Sequence, residues 1–514
     1  MAHVLIFADG RALTNPLNVR NRRVQTVRDE HALKTLGPFR IASEVRNRGF
    51  SCQVIHMMAE FSSSELEEVC KKFVGPETLI VGFSTSFWMD ENPRIQFRVH
   101  HIIQCARDIN PNIKAIFGGP NSMNMVRTQD FDIDAIILGF GEHAFINYFM
   151  GLVNKTEIVP DSKFKDIPVF NFVEKSETFD FCNSRTVYDK SDCLDWGEPM
   201  ILEVGRGCIF KCKFCSYPLT GKKKLDHIKD PGLIREELIR NYELFGLDKY
   251  ILSDDTFNDS NDKLDLLYDV FTKLPFKINF SAYLRLDLLN AHRQQIDKLY
   301  EMGLTGAFFG VESFHEQAAR AIGKGIVSKL AKDLLYDLKA THWKERVKIQ
   351  IGLITGLPHE TLESYRETEA WIRDNENCLI EKVTVAPLKL MDPTQNKFPW
   401  KSEFELNPDT YGYHWPVPSK PFNWHNYMSP VTKFSQALEL QQFLLKATED
   451  MGRNSQGGFS MYDYYHMTTY FKNKKTFEEQ LQMNRFEYTK YLQSESSESF
   501  TALTQAYKTK ILNL

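Results

Sequence analysis

The chain lacks the features that would tie it to a membrane or staple it together outside a reducing compartment. No stretch approaches the roughly 18 consecutive apolar residues of a membrane span. Residues 1–10 lack a basic flank followed by a long apolar segment, so they read as a first strand and not as a leader. Nine cysteines in 514 residues, six of them well apart, make no disulfide framework. A reducing interior is implied, and the expected location is cytoplasmic. Charge of one sign is also missing: with a formal net charge of −4, no global field draws the chain onto nucleic acid or an anionic membrane. Only residues 20–23 and 222–224 are locally basic, and a phosphate could meet the second group. Repeats and low-complexity tracts are absent. What is present is an ordinary soluble balance, 42% hydrophobic and 25% charged, enough to bury a large core.

Residues 1–150 alternate strand and helix signals. Apolar runs at 4–7, 52–56, 79–86, 114–118 and 135–138 are separated by helical spacings at 39–48, 62–73 and 95–109, the second opening on serines suited to an N-cap. This is the pattern of an open parallel sheet, a Rossmann-like domain. Ligands of such sheets bind at loops beyond the carboxyl ends of strands. Here those loops carry Ser84, Gly118, Gly119 and Gly139, small residues that let backbone approach a large ligand or merely end strands. Residues 151–198 read as a connector with weak periodicity. A second alternation over 199–395 has strand candidates at 200–204, 250–252, 277–283, 307–311, 348–353 and 382–386 with helices between. Six such units predict a partial or complete (β/α) barrel with functional residues at strand carboxyl ends. Residues 396–514 hold Trp400, Trp415 and Trp424 and amphipathic helices at 434–447 and 476–492, and are expected to close one end of the barrel and shape its pocket.

Cys208, Cys212 and Cys215 follow the first strand of this second series at Cys-x-x-x-Cys-x-x-Cys spacing. Three thiolates from one loop converge only if the backbone wraps a common centre. A [4Fe–4S] cluster normally takes four Cys ligands, so three leave one iron open for a cofactor. Gly205 and Gly207 relieve crowding there, and Lys211 and Lys213 offset negative charge. The competing readings are a zinc site completed by His227, although no second Cys-x-x-Cys pair is present, and three unrelated buried thiols.

The triplet, with Phe214 just before its last Cys, resembles the signature of the radical S-adenosylmethionine (radical SAM) superfamily. In that family the open iron chelates the methionine moiety of SAM, and reduction of the cluster yields a 5′-deoxyadenosyl radical that abstracts hydrogen from substrate. Later motifs are similar in order: 253–257 with Asp254 and Asp255, then Arg285-Leu286-Asp287, then 310–313 with Glu312 and Ser313 followed by Gly323-Lys324-Gly325, and 352–358 with Gly352 and Ile354. His359 stands where relatives often have Gly, which suggests a different backbone there. The resemblance implies that Asp254 or Asp255 accepts from the SAM ammonium, Arg285 offsets the methionine carboxylate, and Glu312 accepts from ribose hydroxyls. It places Phe214, Ser313, Gly352 and Ile354 in the same cofactor site and makes none of these the catalyst, since the cofactor does the hard chemistry. Each motif also has a structural reading as a helix cap or an internal ion pair.

A Rossmann-like unit ahead of such a barrel is similar to cobalamin-binding members of the superfamily, with residues 37–50 as its first helix and turn and Ser84, Gly118, Gly119 and Gly139 in its ligand loops. The resemblance covers about residues 1–390. Many cobalamin modules carry Asp-x-His-x-x-Gly, whose His binds cobalt; here the first strand runs into Ala8-Asp9-Gly10-Arg11. Members that bind cobalamin without a protein ligand, and members that keep the fold without binding it, both remain open. If cobalamin binds, methyl transfer to carbon is the expected outcome, with electrons from a flavodoxin- or ferredoxin-like donor. The alternatives are a methylthiotransferase, with Cys52, Cys70 and Cys105 offered to a second cluster, a non-catalytic corrinoid or iron–sulfur binding protein, and a zinc-stabilised interaction protein with the three tryptophans as anchors.

Overall fold

The strand series at 4–139 assembles as a parallel sheet because its segments are apolar on both faces and helices cover both. In the computed structural model, residues 1–9, 33–86, 93–172, 180–217, 219–394, 400–420, 422–454 and 461–514 are described. The basic group at 20–23 and residues 10 and 11 of the first loop lie outside them. The first sheet comprises β1 (Val4–Phe7), β2 (Cys52–Ile55), β3 (Ile80–Ser84), β4 (Lys114–Gly118), β5 (Ala135–Gly139), β6 (Ser162–Phe164) and β7 (Ile167–Phe172) in the order β2-β1-β3-β4-β5-β7-β6. All neighbours are parallel except β6 and β7. Chain direction across the sheet reverses between β1 and β3, so their carboxyl ends open a crevice at the switch point. The helix Ser63–Phe73 starts as expected, with a capping box: Ser62 Oγ accepts from Glu65 N at 3.3 Å and Glu65 Oε2 from Ser62 N at 2.7 Å, worth about 1 kcal/mol.

The stretch expected as a connector carries β6 and β7, which extend the sheet edge beyond β5. Pro168 and the flanking charges break the alternation that would have revealed them, and an edge hairpin tolerates both.

The second sheet runs in strict chain order: β8 (Met200–Leu202), β9 (Lys249–Leu252), β10 (Asn279–Leu284), β11 (Leu304–Glu312), β12 (Lys348–Thr355) and β13 (Lys382–Pro387). All of its neighbours are parallel. Among the described residues β8 and β13 do not pair, so the barrel is partial. The molecule is thus an α/β protein with a Rossmann-like sheet, a partial (β/α) barrel and a mostly helical carboxyl-terminal region.

That last region spans both sheets instead of closing one end of the barrel alone. The helix Phe434–Asp450 packs on β12 and β13, where Thr355 Oγ1 donates to Ala437 O at 2.7 Å and Gln441 Nε2 to Val385 O at 2.9 Å. The helix Met461–Thr468 lies under the amino-terminal strand ends, with Tyr462 hydroxyl on Thr305 and Lys249 Nζ 5.1 Å over the Tyr465 ring. The helix Arg485–Asn513 returns to the first sheet, where Tyr507 accepts from His56 N at 2.9 Å and Lys508 pairs with Glu65 at 3.0 Å. The single helix expected over 476–492 is two, Phe477–Gln482 and Arg485–Asn513, because Asn484 turns out of the first and caps the second at Phe486 N and Glu487 N. Trp424 is fully buried and donates to Leu388 O at 2.8 Å; Trp400 and Trp415 are half-buried, so the tryptophans pack and none is an exposed anchor. Among the described residues no helix is long and apolar enough to cross a membrane.

Candidate cofactor site

The loop after β8 is shaped by two glycines that nothing larger replaces. Gly207 has φ +75°, and a Cβ on it would fall 2.4 Å from Leu219 Cβ; one on Gly205 would lie 2.8 Å from Asp254 Oδ2. Gly207 N donates to Asp255 Oδ2 at 2.9 Å, and Cys208 O accepts from Gly221 N at 2.7 Å, so the loop is pinned to the end of β9 on one side and to residue 221 on the other. The three thiols are half-buried. Cys208 Sγ lies 3.2 Å from Thr256 Oγ1, and Arg285 Nη1 donates to Cys212 Sγ at 3.4 Å. Burial and the neighbouring thiols push Cys215 up to about 11. Among the described residues the three sulfurs do not form a group within 4.8 Å of one another. Ligands of one zinc ion, with Zn–S bonds of about 2.3 Å, sit about 3.8 Å apart. His227 serves the loop through its backbone, accepting from Arg206 N at 2.9 Å.

Strands β9 and β10 bring the acidic and basic residues of the motifs beside these thiols. The two aspartates differ. Asp254 is buried and bound to Lys263 Nζ at 2.8 Å, an ion pair with both side chains out of water. Asp255 opens to solvent at the loop mouth in dense surroundings. Burial and then the Asp254 charge push its carboxyl up to about 6, against the Gly207 N–H. Arg285 is shared: its guanidinium binds Asp287 bidentately at 2.6 and 3.0 Å, stacks 3.8 Å from the Phe210 ring and reaches Cys212.

At the end of β11 the pairing with β12 slips between Gly310 and Glu312, and Glu312 takes φ +66°, a left-handed conformation that costs a non-glycine residue about 1–3 kcal/mol. Lys324 holds it there, 3.4 Å from Oε1 and donating to Gly310 O at 2.8 Å. Burial raises the Glu312 carboxyl despite that lysine. The Ser313 hydroxyl turns the other way, to Glu360 and to His315 N at 2.9 Å. Gly352 faces Phe308, whose ring a Cβ would strike at 2.9 Å, and Ile354 is half-buried near the end of the same strand. His359 takes φ +71°, so the backbone there has the left-handed form that favours glycine even though the residue is histidine. Phe214 is half-buried against the main core.

A cleft of about 320 Å³ lies at the carboxyl edge of the first sheet. Ser84, Gly118, Gly119 and Gly139 all line it, and so do Glu203, Arg206 and Ser253 from the second sheet's edge. At Gly119 φ is +109° and a Cβ would meet Ser86 at 3.0 Å, whereas a Cβ on Gly118 would meet nothing within 4 Å. The wall shared by the two edges is charged and fully paired. Arg206 bridges Glu142 and Glu203, the latter at 2.7 Å, between the rings of Phe140 (4.7 Å) and Phe181 (4.5 Å); Arg40 lies 3.5 Å from Glu142. Burial raises the Glu142 carboxyl, but Arg206 and Arg40 overcome it and hold it at about 2.

Sequence reasoning missed Arg40, Glu203 and Arg206, and with them Lys263 and Thr256. The available signal was a charge directly after an apolar strand, as at Glu203. Cys52 and Cys70 are buried, each pushed up to about 12 by burial, and Cys52 lies within β2, so neither presents a ligand for a second cluster.

The radical SAM superfamily model matches residues 202–372. An uncharacterised methyltransferase of Pyrococcus horikoshii is 25% identical over 358 residues, 66% of this chain and 72% of that protein. The solved structure of the cobalamin-dependent S-adenosylmethionine radical enzyme OxsB with aqua-cobalamin bound superimposes with a TM-score of 0.61 at 11% identity, over 100% of this chain and 80% of that one. The radical SAM methyltransferase TsrM of Kitasatospora setae, bound to tryptophan substrate and a SAM analogue, gives a TM-score of 0.56 at 12% identity, over 82% and 80%. At such identities the two structures establish a shared fold, while the family model falls on β8 to the helix Leu362–Arg373, the segment that carries the three cysteines. Residues 202–372 thus carry a radical SAM domain, within a fold shared with OxsB and TsrM.

Proposed function

We propose that this protein is a cobalamin-dependent radical SAM methyltransferase acting on a carbon centre. Cys208, Cys212 and Cys215 hold the cluster. Asp255 accepts from the SAM ammonium, because Asp254 is already committed to Lys263. Glu312, poised by Lys324, accepts from the ribose hydroxyls. Gly352 and Ile354 give the adenine a flat, uncharged neighbour. Arg285, tied to Asp287, also donates to Cys212 and offsets negative charge at the thiolates, and through them beside the methionine carboxylate. When bound, the cluster and SAM supply reductive cleavage of a sulfonium, and a corrinoid supplies a transferable methyl group.

The observation that carries the methyl-transfer reading is the shared cleft. The small-residue edge of the first sheet and the residues flanking the cysteine loop, Glu203, Arg206 and Ser253, wall one cavity, so a large flat ligand there faces the SAM site. The first strand runs into Ala8-Asp9-Gly10-Arg11 where a cobalt-binding module would carry Asp-x-His-x-x-Gly, which favours a corrinoid held without a protein ligand to cobalt. The reading places the enzyme in the cytoplasm, with a flavodoxin- or ferredoxin-like donor. Its test is anaerobic purification. The expected protein is brown, with about four iron and four sulfide per chain, forms 5′-deoxyadenosine from SAM under strong reductant, and binds hydroxocobalamin one to one. Cleavage with no corrinoid binding would remove methyl transfer and leave only the radical SAM class.

A further inference from the structure

The pleat of the second sheet gives it two unlike faces. Phe309, Ile351 and Val383 face outward into the core beneath the flanking helices, where Phe309 stacks 6.2 Å from Trp343. The residues that alternate with them face inward. Parallel pairing aligns Tyr283 with Phe308, Phe308 with Gln350 and Gln350 with Lys382, so these four form one row on one face. The Tyr283 and Phe308 rings meet at 5.2 Å, and Phe308 packs against the core that holds Met461, Tyr462 and Tyr464. Two residues along each strand, about 6.6 Å nearer the carboxyl ends, lie Gly310, Gly352 and Thr384, the row that adjoins Glu312 in the cofactor site.

The inner row is not packed shut. Tyr283 is 39% exposed although β10 lies inside the sheet, and Lys382 and Thr384 are half-buried where Val383 and Val385 are buried. Polar atoms on this face lack partners among the described residues: Gln350, 6% exposed, has none for Oε1, and Ser281 Oγ, fully buried one row below, has none either. Asp463, on the helix Met461–Thr468, acts on both ends of the row. Burial raises its carboxyl to about 7, and Lys382 opposes this through space and not through a hydrogen bond. Burial lowers the Lys382 ammonium, and Asp463 opposes that in turn. Burial, then Tyr217 and Asp463, raise the Tyr283 hydroxyl.

We propose that this inner row holds the polar end of the substrate, and that the substrate is a zwitterionic small molecule with one amine and one carboxylate. Lys382 takes the carboxylate, Asp463 and the Gln350 amide oxygen take the ammonium, and the Tyr283 and Phe308 rings flank the apolar part. This rests on the reading that the strand ends above the row hold a radical SAM centre. The charges select the class. A charge taken out of water is costly unless it is paired. A ligand with a single charge would answer either Lys382 or Asp463 and draw it away from the other, whereas a zwitterion answers both. The spare acceptor on Gln350 calls for a donor, which an ammonium supplies and a carboxylate does not.

The test measures equilibrium binding of three probes of one shape to the anaerobically reconstituted enzyme, with SAM and no reductant. Phenylalanine carries both charges, phenethylamine lacks the carboxylate, and 3-phenylpropanoate lacks the amine. Phenylalanine is expected to bind at least about tenfold more tightly than either, the worth of one charge-assisted bond. In Lys382→Gln, phenylalanine and 3-phenylpropanoate weaken by about tenfold and phenethylamine does not. In Asp463→Asn, phenylalanine and phenethylamine weaken and 3-phenylpropanoate does not. A wild type that binds the three alike, or binds none, overturns the proposal without recourse to any variant. Variants that weaken all three probes equally overturn it too, since the residues then serve only the fold. Formation of 5′-deoxyadenosine by wild type under strong reductant, with no probe added, reads the cofactor site separately; its absence overturns the radical SAM reading alone.

Discussion

The two carboxyl edges that face each other across the cleft are made of opposite materials. The first sheet offers Ser84, Gly118, Gly119 and Gly139, neutral and small, with open space beside Gly118 where a side chain would be. The second offers Asp254, Asp255, Arg285 and Glu312, all charged, three of them already held by a partner: Lys263, Asp287 and Lys324. Among the described residues, charge enters the cleft only along the Arg40–Glu142–Arg206–Glu203 wall where the edges meet. The difference teaches how each edge holds a ligand. The first selects by shape, which suits a large flat molecule with few charges of its own. The second selects by charge-assisted bonds, which suit the ammonium, carboxylate and ribose of SAM.

The largest effect separates the edges outright. Cys212→Ala removes one sulfur from the second edge together with the acceptor of the Arg285 hydrogen bond. Colour, iron and 5′-deoxyadenosine formation are expected to be lost completely, while hydroxocobalamin still binds at the first edge. Retained cleavage would break the cluster assignment; simultaneous loss of corrinoid binding would break the division of labour. The cysteine spacing made this edge legible from sequence, as did the apolar runs: β1 and β4 fall on the residues expected and the barrel strands within about three. What was not legible is which partner each charge takes. Asp254 and Asp255 are equivalent in sequence, and only Lys263, one helix later, distinguishes them. Glu142 and Arg206 are 64 residues apart, so their bond appears only once two sheets are set edge to edge.

A smaller effect sharpens the shape argument. A Cβ at Gly118 meets nothing within 4 Å and the residue lines the cleft, so Gly118→Leu grows into the ligand space without straining the strand. Overpacking of this kind costs about 1–3 kcal/mol, which corresponds to roughly 5- to 150-fold weaker corrinoid binding. SAM cleavage and thermal stability are expected to stay at wild-type levels. Unaltered corrinoid affinity in this variant would move the ligand elsewhere. The four small residues were quoted from sequence as ligand loops or strand ends, and sequence alone could not choose between these. The choice follows from the strand order β2-β1-β3-β4-β5, which gathers their carboxyl ends at one crevice. The edge strands β6 and β7 stayed hidden because Pro168 interrupts their pattern.

The smallest effect is a titration confined to the second edge. Burial and the Asp254 charge raise the Asp255 carboxyl to about 6, so it is ionised at pH 7 and mostly protonated at pH 5. Protonation removes its capacity to accept from an ammonium. Apparent SAM affinity is therefore expected to fall about tenfold as pH drops from 7 to 5, the ratio of ionised fractions on either side of that value. Asp255→Asn should bind SAM about tenfold or more weakly at pH 7, within the 1.5–3 kcal/mol of a charge-assisted bond, and should flatten the profile. Corrinoid binding, which relies on no group titrating in this range, should be level from pH 5 to 7, since Glu142 beside it is held at about 2. Equilibrium binding of both ligands across this range checks the point. A SAM profile that is unchanged in Asp255→Asn would transfer the ammonium contact to another acceptor and leave the edges distinguished by their cysteines alone.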